Sequence, residues 1–236
     1  MPSPSRFTAG VSTAAKNSTL YNMPAQDPTK VHTYFNDFVT YAAGDFTITE
    51  TGTGSRALAA GNGGLLLITN AAADNDNNQF QVVKEHVTLA AGKKAWFKAR
   101  FKVSDATQSD VCIGLCSLDT DVFSSADGDG VTDGIFFWKD DGDVAIDFQC
   151  QLDATTGQVR ATNVATLVDD TFIVVGWEYD GVSAVKYFIN DVHVGTIAAT
   201  ATNLPNANLT TTFAIKNGEG AAKTMTVDYV FSAIER

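Results

Sequence analysis

Between Lys94 and Val103 the chain alternates without a break. Ala95, Phe97, Ala99, Phe101 and Val103 fall on one side, and Lys94, Trp96, Lys98, Arg100 and Lys102 on the other. Successive strand side chains point to opposite faces, so a period of two fits a half-buried β-strand and not a helix. The same alternation runs through Val144, Ile146, Phe148 and Cys150, and again through Met225, Val227, Tyr229, Phe231 and Ala233. Phe46 with Ile48, the run 172–179 and the run 185–189 supply further strands. No window of about a dozen residues carries a helical apolar stripe with caps.

Residue choice agrees. Of the 27 acidic residues 22 are Asp and 5 are Glu, while Thr occurs 28 times. Asp suits turns, Thr suits strands, and the helix-forming acid is scarce. Turn chemistry separates the strand runs. Asp140-Asp141-Gly142-Asp143 links 134–139 to 144–152 as a hairpin, and Asn190-Asp191 closes a second through a tight primed turn. Asn217-Gly218-Glu219-Gly220 joins 211–216 to 224–234. A dozen or so strands in the 236 residues predict an all-β fold, a two-sheet antiparallel sandwich of jelly-roll type. No repeat of 20–50 residues is present.

The first 30 residues differ, being rich in Ser, Thr, Ala, Asn and Pro with few bulky apolar side chains beyond Phe7, Leu20, Tyr21 and Met23. Such a stretch cannot build a core of its own. The chain is therefore divided into an extended N-terminal arm, residues 1–35, and a β-sandwich, residues 36–236. With 16 basic against 27 acidic side chains the net charge is −11, which argues against a nucleic-acid-binding face. No apolar run approaches the roughly 20 residues that cross a bilayer, so no membrane partner is expected. The opening Met-Pro-Ser-Pro-Ser-Arg lacks the apolar core of a secretory signal. That predicts a chain that reaches its destination without a cleaved leader.

Several residue groups bear on chemistry. Cys112, Cys116 and Cys150 make an odd number, which fits thiols in a reducing compartment better than a disulfide framework. The three histidines, His32, His86 and His193, are scattered in sequence and do not complete a metal set with them. Ser125, Asp127, Asp129 and Asp133 fall at positions 1, 3, 5 and 9 of a calcium-loop register, but Phe136 stands where a bidentate Glu is required. An Asp/Gly-rich loop between strands explains that stretch without an ion, so no metal ligand is assigned. Asp143 and Asp147 share a strand face at about 13 Å, too far for the paired carboxylates of a glycosidase. Gly181-Val-Ser183-Ala-Val185 lacks the last glycine of a nucleophile elbow. The sequons at Asn17 and Asn208 are empty without an export signal. Of the aromatics Trp96, Phe137, Trp138 and Trp177, core packing is the reading for most. Trp96, on the charged face beside Lys98 and Arg100, is the candidate for an exposed stacking ring.

Two resemblances have residues behind them. Trp177-Glu-Tyr-Asp-Gly181, the run Tyr187–Thr196 and the closing Met225–Val230 resemble concanavalin A-like (laminin-G-like) sandwich domains. The segments Asp27–Phe38, Asp45–Thr49 and Gly61–Leu67 are similar to virion structural proteins of tailed bacteriophages. That second resemblance implies a capsid decoration or cement protein on the outer surface of an icosahedral head, bridging neighbouring capsomers. Its implied partners are the major capsid protein and other copies of itself, as a dimer or trimer. Its implied place is the virion surface, after synthesis in the host cytoplasm. No catalytic residue, cofactor or metal is expected, and the chain is not expected to be an enzyme. The alternative is a carbohydrate-binding, lectin-like module using Trp96.

Overall fold

A computed structural model describes residues 18–20 and 28–236. In chain order the first strands are β1 (Val31–Asn36), β2 (Phe46–Thr51), β3 (Ser55–Ala59), β4 (Leu65–Thr69) and β5 (Asn77–Val82). The middle ones are β6 (Ala95–Val103), β7 (Ser109–Cys116), β8 (Gly134–Lys139), β9 (Ala145–Leu152) and β10 (Gly157–Thr166). The last are β11 (Ile173–Tyr179), β12 (Ala184–Ile189), β13 (Val192–Ala198), β14 (Thr210–Asn217) and β15 (Thr224–Glu235). All pairings between them are antiparallel, and they form two sheets. Sheet A runs β13-β12-β11-β6-β15-β4-β3, with β1 on β15; sheet B runs β10-β9-β8-β7-β14-β5-β2. The fold is the all-β jelly-roll sandwich that the alternation predicts.

The inward side chains of the alternating strands meet in one core. Phe97, Phe101, Val175 and Trp177 of sheet A pack against Ile113, Phe137, Phe148 and Phe213 of sheet B. Phe80 and Phe213 stack with centroids 5.1 Å apart, and Phe137 meets Phe148 at 4.8 Å. Each such ring removes about 150–250 Å² from water, so these contacts dominate the cohesion of the two layers. The turns follow their residues. Asn190 and Asp191 hold φ of 49° and 63°, the doubly left-handed backbone of a primed hairpin turn. The link from β14 to β15 is different, because it crosses from sheet B to sheet A.

One boundary moves. Residues 31–36, assigned to the arm from composition as far as residue 35, form β1 and pair with β15 from Val31↔Glu235 to Asn36↔Val230. The reason lies in the length of β15. Its first half is flanked by β4 and its second half would be an open edge, and β1 fills that position. Of the arm, only residues 18–20 and 28–30 lie among the described residues ahead of β1.

Candidate functional site

The outer face of sheet B is built from polar side chains that the sequence gives no reason to bury. Gln79 and Gln81 of β5, Gln149 and Gln151 of β9 and Gln158 of β10 point outward, and the first four are fully covered. What covers them is the chain itself, in the connection from β7 to β8, residues 117–133. Gln79 takes the amide of Val122 at 2.9 Å and donates to the carbonyl of Asp119 at 2.6 Å. Gln81 does the same one step along, accepting from Asp119 N and donating to Ser117 O, both at 2.9 Å. Gln149 donates to Asp127 O at 2.6 Å, Gln151 to Gly128 O at 3.1 Å, and Gln158 to Asp129 Oδ1 at 2.9 Å. Between these amides Val122, Phe123 and Val131 pack on Cys112, Cys116, Phe136, Trp138 and Ala214 as a second core. Gly128 is required at the tip: its φ is 78°, and a Cβ there would stand 2.9 Å from Gln149 Nε2.

This roof decides the fate of several sequence candidates. Asp127, Asp129 and Asp133 do not converge. Asp127 pairs with Arg160 Nη1 at 2.7 Å, Asp129 accepts from Gln158, and Asp133 accepts from Asp153 N at 3.2 Å. Arg160 supplies the positive charge where an ion was considered, and it also holds Asp147. Asp143, by contrast, caps the amides of Val144 and Ala145. Thus Asp143 and Asp147 are not brought together. Cys112 and Cys116 lie buried under the roof and Cys150 in the main core, all as unbridged thiols. Burial pushes the Cys150 thiol up to about 12. Among the described residues no three His, Cys, Asp or Glu side chains form a group that could hold a metal ion.

The outer face of sheet A is where the N-terminal segment arrives. Along β6 the basic residues each meet an acid from a neighbouring element: Lys98 with Asp191 at 2.7 Å, Arg100 with Asp228, and Lys102 with Asp170 at 3.2 Å. Arg100 also stacks on Phe172, its guanidinium 4.0 Å from the ring centroid. Trp96, expected on this charged face as an exposed ring, is instead 0% exposed. The small Ala233 stands opposite it on β15, and Val31, Phe231 and Leu20 close over the indole. The sequence signal misled because alternation reports which face a side chain takes, not what later covers that face. Thr19 completes the cover, its Oγ1 3.4 Å from Asp191 Oδ1.

Beside that cover lies an open groove of about 220 Å³ lined by Leu20, Phe35, Lys98, Tyr229 and Phe231. Phe35 is 59% exposed although it sits in a strand. Phe35 and Tyr229 face each other with centroids 6.3 Å apart. Burial pushes the Tyr229 hydroxyl up to about 12, so it stays protonated through the neutral range. The groove therefore offers aromatic surface and a hydroxyl without charge change. Phe137 and Trp177 line the inter-sheet core and Trp138 lies beneath the roof. Of the aromatics lining the groove, Phe35 is the most open to solvent and Tyr229 is half-buried; the sequence signal for Tyr229 was the alternation of β15 alone.

No protein-family model matches the chain, and no curated protein sequence matches it. Solved structures do. An endo-1,3-β-glucanase from Streptomyces sioyaensis superposes with a TM-score of 0.56 at 14% identity, covering 89% of this chain and 98% of that one. The carbohydrate recognition domain of Emp46p gives 0.55 at 8% identity, covering 84% and 94%. Peanut lectin gives 0.55 at 12% identity, covering 88% and 98%. At these identities the likeness is one of fold: a concanavalin A-like, lectin-like sandwich that carries enzymes and binding proteins alike.

Proposed function

We propose that this chain is a non-enzymatic virion structural protein, a decoration protein that sits on the outer surface of an icosahedral phage head and bridges neighbouring capsomers. The observation that carries the reading is the outer face of sheet A. There residues 18–20 lie down on Trp96 and Gly176, beside a groove whose aromatic Phe35 is left uncovered. An N-terminal segment tied to a rigid sandwich next to an apolar patch is what a gripping protein needs. The roofed face of sheet B supports the same reading, since its polar array is already engaged by the chain's own backbone. The proposed partners are the major capsid protein and further copies of this chain, as a dimer or trimer on the virion surface. Synthesis in the host cytoplasm belongs to the same reading.

Binding to bare heads tests it. The full chain should bind and a chain lacking residues 1–30 should lose most of that binding. Undiminished binding by the truncated chain removes the N-terminal segment from the mechanism.

A second reading, a carbohydrate-binding module, is favoured by the fold shared with a lectin and a carbohydrate recognition domain. The buried Trp96 is not the ring to test. Binding on a glycan array that disappears in Phe35→Ala would favour this second reading.

A further inference from the structure

At one end of the sandwich, β1, the end of β15 and the connection 83–94 surround a cavity of about 500 Å³. Its walls include the imidazoles of His32 and His86, with Thr88, Lys93, Ile234, Glu235 and Arg236. His32 is an inward residue of β1, paired across the ladder with Ile234. His86 comes from the connection and reaches under β1. The two rings meet edge to face with centroids 5.8 Å apart, and the ring of Tyr34 of β1 lies 5.4 Å from that of His86. Two inward side chains of β1, His32 and Tyr34, thus touch one imidazole, and Tyr34 packs on the main core as well.

The hydrogen bonds fix how that imidazole is charged. A carbonyl only accepts, so His86 Nδ1 donates to Lys84 O at 3.1 Å. In the neutral ring Nε2 then accepts from one of the hydroxyls of Ser232 and Thr211, which lie 3.2 and 3.3 Å from it and 3.2 Å from each other. His32 has a stronger constraint. Its Nε2 is buried with no hydrogen-bond partner among the described residues, so an added proton there has no acceptor.

We propose that the His32–His86 contact is an acid-sensitive latch, which holds β1 on β15 while both rings are neutral and releases β1 when they take up protons. Protonation would place two cations ring against ring and reverse the direction of the Ser232–Thr211–His86 hydrogen bonds. Of the other charged groups on the cavity wall two are basic, Lys93 and Arg236, and one is acidic, Glu235. Lys93 and Arg236 carry the same sign, and the carboxylate of Glu235 is held by the amide of Lys94 at 2.9 Å. From β1 the facing titratable group is Tyr34, neutral in this range, and β14 contributes only Thr211. Both imidazoles are held below the ordinary 6.5, chiefly by burial; Arg236 adds to the effect at His32, and at His86 the Lys84 carbonyl opposes it while His32 adds to it. β1 is the element that yields because strand pairing holds it along one edge only, to β15.

Amide hydrogen exchange on the full chain at about pH 7.5 and about pH 5, corrected for intrinsic rates, tests the latch. Protection over residues 31–36 should fall more than over residues 210–217 of β14, by up to about thirtyfold for one imidazole that takes up its proton only when β1 is released. In His86→Gln and His32→Gln, which stay neutral, that extra fall should shrink below about threefold. Should His86→Gln fail to fold, seen as lost protection in β14 at the higher pH, His32→Gln alone carries the comparison. An equal fall in β1 and β14, or a full extra fall retained in the glutamine variants, overturns the proposal.

Discussion

Thr19 stands directly over Gly176. A Cβ on residue 176 would lie 2.8 Å from Thr19 Cγ2 and 2.9 Å from its Oγ1, so the missing side chain on β11 is the seat of the N-terminal segment. Thr19 is fully buried there, far in sequence from the strand that receives it.

Gly176→Ala should therefore unseat the segment. Overpacking at a close contact costs about 1–3 kcal/mol, and the loss of Leu20 above Trp96 should shift tryptophan fluorescence to longer wavelength. Thr19→Gly in the same chain should recover part of both effects, because Thr19 makes two of the three close contacts and the third, to Phe97 O at 2.9 Å, remains. Unchanged stability and emission in Gly176→Ala would mean that Thr19 does not seat on β11.

The roof over sheet B should depend on its glutamines one at a time. Gln81→Met keeps the size but leaves Ser117 O and Asp119 N without their partner. Stranding such buried backbone groups costs about 1–3 kcal/mol, measurable by urea unfolding. Exchange should rise over residues 117–123 and stay unchanged in β11 and β12.

Calcium at about 5 mM should leave the thermal midpoint unchanged, since Asp127 and Asp147 are already paired with Arg160. In Arg160→Ala those carboxylates lose their cation, and the midpoint should drop. A wild-type midpoint raised by several degrees would reinstate an ion among Asp127, Asp129 and Asp133.

Lys139 gives a pH dependence with a definite sign. It lies buried with Nζ donating to Thr107 O at 3.2 Å and to Ser109 O, and burial pulls it down to about 8. Unfolded, it holds its proton up to about 10.5, so between these values the unfolded chain binds more protons and stability rises with pH. Relative to Lys139→Met, the unfolding free energy of the wild type should gain about 2 kcal/mol from about pH 7.5 to about pH 10. No gain would mean that Lys139 is solvated.

Alternation made the sandwich readable. Phe97 and Phe101 of β6, and Val227 of β15, go where a period of two sends them, and Asn190-Asp191 turns as its residues dictate. Three things were not readable. In β7 and β8 every residue is buried, because residues 117–133 cover the face that alternation would leave to solvent. Gln79 and Gln81 look like solvated strand positions, and nothing local marks them as clamps. Trp96 is sealed by Leu20 and by Val31, from chain segments far ahead of it in sequence. Each miss has one cause: cover supplied from elsewhere in the chain leaves no trace in the local pattern.

Where residues 117–133 cross sheet B, the molecule is three layers deep instead of two. Bending stiffness grows steeply with thickness, so a load spread over the sandwich would be carried at its centre with little give. Deformation would collect at the rims, in β13 and β3, each hydrogen-bonded to a single neighbour. Those two margins are where strain under mechanical force should first become visible.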